Sequence, residues 1–186
     1  MHIDTNTLLS QLKESTLNLI AKANVLASQT EQSLNWRPDK DSWSTLECLQ
    51  HLNLYGNFYL PEIDKRIRQS RHRQPVATFK SGVLGNYFAQ SMLPKEKLNK
   101  MKTFKNMNPI NSALDKKIIE VFIAQQQQIL NLLEAAGHIN IIKTKTSISI
   151  SSMITLRLGD TFRFFINHNI RHFQQIARIE QARVAS

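Results

Sequence analysis

Four stretches of this chain repeat apolar residues at intervals of three and four, a spacing that commits most of it to amphipathic helices. Leu8, Leu9, Leu12, Leu19, Ile20, Ala23, Leu26 and Ala27 mark the first, from Thr7 to about Gln29, with Asp4 or Thr5 placed to cap its start. The second opens at Ser44, where Ser44 and Glu47 have capping-box spacing and Trp43 and Cys48 occupy hydrophobic-staple positions. It runs through His51, Leu54, Tyr55 and Phe58, and Pro61 is expected to kink or break it before Ile63 and Ile67. Ser112 and Asp115 open a third, with Leu114, Ile118, Phe122, Ile129 and Leu133 as its stripe and Gly137 just past its end. Gly159-Asp160 precedes the fourth, where Phe164, Phe165, His168, His172, Ile176 and Ile179 share a face towards the C-terminus.

Five glycines and five prolines in 186 residues leave few turns for an all-β fold. Residues 74–109 contain Pro75, Gly82, Gly85, Pro94 and Pro109, and read as a long crossover between the second and third helices with a short helix near Val83–Gln90. Ser147-Ile148-Ser149-Ile150-Ser151 alternates with period two, but with no evident partner strand it reads as an extended connection. The expected fold is all-α: one four-helix bundle domain over residues 1–186.

The formal charge of +10 is a local property. Eleven of the 24 Lys/Arg and one of the 14 Asp/Glu, Glu96, fall between Lys65 and Lys105, and the rest of the chain is balanced. Lys95, Lys97, Lys100, Lys102 and Lys105 read as a solvated loop rather than a recognition helix, and no nucleic-acid motif accompanies them, so no nucleic-acid partner is expected. A single cysteine, Cys48, excludes an intrachain disulfide and a Cys-rich zinc module, which suits a reducing cytoplasm. Met1-His2-Ile3-Asp4 lacks the basic and apolar regions of a signal peptide, and no window approaches 18 uninterrupted apolar residues. Neither export nor a membrane partner is expected.

His168 and His172, four apart on a helix, leave the same face one turn from each other and can reach one ion at the ~2.1 Å of a Zn–N bond. This is not the zincin motif, which has Glu directly after the first His where this chain has Asn169. His51 lies mid-helix among Leu46, Leu49, Leu52 and Tyr55, where an imidazole needs a partner that another helix can supply. Three neutral histidines from two facing helices would leave one tetrahedral position open, as in catalytic rather than structural zinc sites. His2, His72 and His138 have no ligand-like setting.

Trp43-Ser44-Thr45-Leu46-Glu47 with Gln50-His51-Leu52, His168-Asn169-Ile170-Arg171-His172 with Gln175, and the preceding Leu34-Asn35-Trp36-Arg37-Pro38 together resemble the DinB/YfiT-like superfamily of metalloenzymes. The resemblance implies an up-down-down-up bundle that accommodates the long crossover, and a divalent metal on His51, His168 and His172. It also implies a metal-dependent hydrolase or a thiol-dependent transferase acting on a small-molecule substrate, a low-molecular-weight thiol among the candidates. Zn, Ni, Cu and Fe all suit three histidines. The alternative is a non-catalytic bundle whose basic segment binds nucleic acid or another anionic partner. A homodimer through outer bundle faces is the expected assembly.

Other residues near the histidines have sufficient structural roles. Glu47, one turn before His51, reads as the capping-box acid in preference to a general base. Gln175 is placed to hydrogen-bond near the site, Asp160 to cap the last helix, and Trp43, Tyr55 and Phe58 to anchor the core. Cys48 reads as an inert packed thiol.

Overall fold

A computed structural model describes residues 1–93, 103–149 and 151–186. The chain is mostly helical, with strand β1 (His2–Asp4), helices α1 (Thr5–Ala27), α2 (Glu31–Leu34) and α3 (Thr45–Arg68), strand β2 (Thr78–Lys80) and helix α4 (Val83–Ser91) in its first half. A 3₁₀ turn at Lys105–Met107 leads to α5 (Lys117–Ala136), strands β3 (Lys145–Ile148) and β4 (Ser151–Arg157), and α6 (Leu158–Val184). Among the described residues no helix is long and apolar enough to cross a membrane.

The long helices form where the local signals place them. Asp4 caps α1 by accepting from the Thr7 N–H at 2.8 Å, and Ser44 and Glu47 complete a reciprocal capping box on α3. The stripes then meet: α1 packs on α5 and α6, and α3 packs on the same two helices. Leu8, Leu12, Leu19, Leu49, Leu52, Ile63, Phe122, Ile129, Phe165 and Ile176 are buried in one continuous core. Gly56 allows α3 and α5 to close, since a methyl there would lie 2.0 Å from Gln125 Oε1.

Several local expectations are corrected. Pro61 does not break α3 into two elements: the helix runs on to Arg68, with Pro61 and Asn57 facing solvent, where water can satisfy the carbonyl that proline leaves without a donor. Residues 147–151 are not a lone extended connection. β3 and β4 pair antiparallel, Lys145 with Arg157, Thr146 with Leu156 and Ser147 with Thr155, before an irregularity brings Ile148 opposite Ser151. The chain is mostly helical, consistent with the all-α expectation, and this hairpin and the antiparallel pair β1–β2 are small additions to the helices. Helix α5 starts at Lys117, whose N–H is received by Asp115 at 2.8 Å, and Ser112 takes no part in its cap.

Helix α6 begins at Leu158, so Gly159 and Asp160 sit inside its first turn instead of preceding it. Gly159 has to be small, as a methyl there would lie 2.5 Å from the ring of buried Phe79 on β2. Asp160 does not cap α6. Its carboxylate accepts from Ser81 Oγ, from the Gly82 N–H at 2.8 Å and from Arg163 at 3.1 Å, tying α6 to the start of α4. The short helix expected near Val83–Gln90 is α4; Pro94, Lys95, Glu96, Lys97, Lys100, Lys102 and Ile150 lie outside the described residues.

Candidate metal centre

Helix α3 carries His51 one turn beyond its capping box, and α6 carries His168 and His172 on one face. Contacts between the two helices bring them together: Thr45 Oγ1 donates to Glu180 at 2.8 Å, and the Tyr59 ring lies 5.3 Å from that of Phe165. Between these contacts the three imidazoles converge. His168 Nε2 lies 3.2 Å from His51 Nε2 and 3.1 Å from His172 Nε2, and one ring nitrogen from each falls within 4.8 Å of the others. Two nitrogens bound at ~2.1 Å to one tetrahedral ion are themselves about 3.4 Å apart, so the spacing fits a shared cation.

The outer nitrogens decide which atoms face inward. His51 Nδ1 lies 2.6 Å from the Met107 carbonyl, which can only accept, so Nδ1 carries the proton and Nε2 presents its lone pair. His172 Nδ1 donates to Gln175 Oε1 at 3.0 Å with the same consequence. His51, His168 and His172 are 3%, 6% and 9% exposed. Burial depresses their proton affinity, holding His51 at about 4 and His172 at about 3; His168 is held well below the ordinary histidine value by burial and by its two neighbours. At neutral pH the cluster is three neutral imidazoles. A proton on one Nε2 can satisfy only one neighbour at a time, and His168 Nδ1 is buried without a hydrogen-bond partner among the described residues. A single cation would satisfy all three converging lone pairs.

Aromatic rings wall this cluster. Trp43 lies 4.7 Å from the His51 ring and stacks on His172 at 5.7 Å, and its indole N–H donates to Asn108 at 3.1 Å. Tyr55 packs on His51 at 4.9 Å and on His168 at 4.7 Å, while Phe164 stacks on His168 at 6.2 Å. Trp43 and Tyr55 are half-buried, so they border the centre where it approaches the surface. A family model for the DinB superfamily matches residues 18–176, a span that includes all three histidines. The chain belongs to the DinB superfamily. Neither the curated proteins nor the solved structures give a significant match. Membership and a buried three-histidine cluster are together compatible with a metal-binding protein.

The other residues named above divide by position. Gln175 reaches the centre through His172, and Phe58 lies apart, edge-to-face on Tyr59 at 5.0 Å. Trp43 and Tyr55 were expected only as core anchors, yet they touch the histidine rings; a tryptophan or tyrosine on an apolar helix face has the same sequence signature in either role. Met107 left no signal at all, because it acts through its carbonyl. Cys48 is buried and its thiol is pushed up by that burial, which keeps it protonated and unreactive. His2 sits in β1, and neither His72 nor His138 joins the cluster. In the basic segment, Arg66 pairs with Glu62 at 2.8 Å, Arg68 pairs with Asp64, and Arg73 donates to the Arg68 carbonyl at 2.7 Å.

Glu47 is fully buried, and its carboxylate is occupied. It accepts from the Ser44 N–H at 2.8 Å and from Arg37 at 2.9 and 2.6 Å, with the Asn111 N–H also directed at it. Burial alone would raise its proton affinity, but these donors outweigh it and hold the carboxyl below the usual range. A carboxylate so engaged is a poor proton acceptor for a nucleophile. Glu47→Ala is expected to cost about 2–4 kcal/mol of stability by stranding the cap and Arg37, with divalent-metal stoichiometry unchanged. Loss of metal at unchanged stability would assign Glu47 to the centre.

Proposed function

We propose that this chain is a divalent-metal-dependent enzyme of the hydrolase or thiol-dependent transferase type, in which Nε2 of His51, His168 and His172 holds the ion. One observation carries the reading: three neutral imidazole nitrogens converge at 3.1 and 3.2 Å, two of them aimed by carbonyl oxygens on the far side of their rings. A divalent cation held there would act as a Lewis acid, making a water or a thiol nucleophilic near neutral pH. The protein's own contribution is to keep the ligands unprotonated, to fix His51 through Met107 and His172 through Gln175, and to border the remaining position with Trp43 and Tyr55. Those walls carry no formal charge, which favours a small substrate with an apolar part. The single cysteine, a buried free thiol, suits a reducing cytoplasm.

The reading extends to the architecture, as one domain with up-down-down-up helices. Lys13 pairs with Glu134, and Lys116 donates to the Gln29 carbonyl at 2.8 Å, so the start of α1 meets the end of α5 and the reverse. Asn53 donates to the Ile118 carbonyl at 2.9 Å while Gln125 donates to Asn57 at 2.9 Å, a parallel progression of α3 and α5. The contacts Thr45–Glu180, His51–His168 and Tyr59–Phe164 run α3 against α6.

Protein purified without a nickel column is expected to carry, or to take up on titration, one divalent ion per chain, read by elemental analysis and calorimetry. No uptake of Zn, Ni, Cu or Fe at micromolar concentration would overturn the assignment.

A further inference from the structure

We propose that the face built by α4 and the β3–β4 hairpin docks this chain on an anionic lipid surface. Helix α4 contains no charged residue, yet its side chains are not all used in packing: Val83 is 94% exposed and Tyr87, one turn later on the same face, is 67% exposed. Strand β4 packs against α4 and presents Met153, 90% exposed. Large apolar side chains standing this clear of a surface gain nothing from the fold that displays them. They protrude instead of lining a groove, which suits a fluid partner that closes around them. Tyrosine in particular is at home at the level of lipid headgroups.

Charge selects the kind of surface. Lys80 lies three residues before Val83, and Arg157 reaches the same point, since a methyl on Gly82 would lie 3.5 Å from Arg157 Nε. Across the hairpin Arg157 is paired with Lys145. Residues 78–93 and 141–159 contain no acidic residue, and Asp160, which follows them, is buried and bonded to Ser81 and Arg163. Apolar projections beside Lys80, Lys145 and Arg157 match a bilayer rich in anionic lipid. A second copy of the chain is a poorer occupant, because a symmetric contact would press the same cations against one another. This is contact with a bilayer surface, not crossing. It revises the expectation of no membrane partner, because exposure along α4 cannot be read from its composition.

The test is sedimentation with vesicles at roughly 150 mM salt. Vesicles with about a third of their lipid as phosphatidylserine are expected to bind the chain at least tenfold more tightly than pure phosphatidylcholine vesicles. The triple variant Val83→Ser, Tyr87→Ser, Met153→Ser is expected to lose about tenfold or more of that binding at an unchanged melting temperature, since all three side chains are exposed. Val83→Trp is expected to report insertion directly, through a blue shift of its added fluorescence on anionic vesicles only. Three results would each overturn the proposal: no sedimentation with anionic vesicles, equal binding by the triple variant, or self-association that the triple variant abolishes. The last would assign the face to a contact between copies.

Discussion

Replacing His168 with alanine is expected to abolish tight divalent-metal binding, weakening it by more than about a hundredfold. Its Nε2 is the atom nearest both other ligands, at 3.2 and 3.1 Å, so its loss leaves two imidazoles and no third donor among the clustered groups. Loss of an outer partner such as Gln175 typically costs 10–100-fold, and losing a ligand costs more. The comparison separates ligation from packing. Gln175→Ala should keep one ion per chain with affinity reduced by about tenfold or more, while His168→Ala keeps none. Calorimetric titration of the metal-free variants reads both. Undiminished stoichiometry in the His168→Ala protein would remove the three-histidine centre from consideration.

Acid should destabilise the metal-free protein well before its carboxylates titrate. In the unfolded chain a histidine takes its proton near pH 6.5, whereas burial holds His51 at about 4 and His172 at about 3 in the folded state. Below about 6.5 the unfolded state therefore binds protons that the folded state refuses, and stability falls with pH until the folded values are reached. The loss is about 1.4 kcal/mol per pH unit per group, several kcal/mol across the window and a large part of the stability of a typical domain. Denaturant midpoints measured between pH 6.5 and 5 should fall steadily, and the double variant His51→Gln, His172→Gln should flatten that slope. A flat profile in the unmodified protein would mean that the cluster is open to water. Added divalent metal should preserve stability down to a lower pH, because the ion competes with protons for the same lone pairs.

What could be read from the chain was what neighbours in sequence decide together. The capping box of Ser44 and Glu47, the cap at Asp4 and the stripes of three-and-four spacing each depend on a few residues of one helix, and each appears in the structure. His168 and His172 were paired by helical spacing alone, whereas His51 was joined to them by its setting and by family resemblance. The strand β3 was visible as alternation but its partner was not, because Ser151–Arg157 runs straight into α6 and offers no Asn-Gly or Asp-Gly turn between the strands. Pro61 did not end α3, because the freed carbonyl lies on the solvent side and the packing of α3 on α5 and α6 outweighs what proline costs the helix. Arg37 as the partner of Glu47, Trp43 and Tyr55 as walls, and α4 as an apolar face turned outward all depend on contacts or exposure set by the whole fold.

Through the Met107 carbonyl the crossover holds a histidine of the centre by a backbone atom. Position 107 orients His51 through an atom that every amino acid possesses, so substituting the methionine leaves the acceptor in place. What has to be preserved is the path of the backbone through Lys105–Met107. Inserting or deleting a residue in that turn would swing the carbonyl away from Nδ1 and free the ring to present its other nitrogen, while the histidines themselves stayed intact. The centre is thus sensitive to the length of a segment and indifferent to much of its composition. A relative with all three histidines and a reshaped crossover would hold its ligands in a different order of readiness.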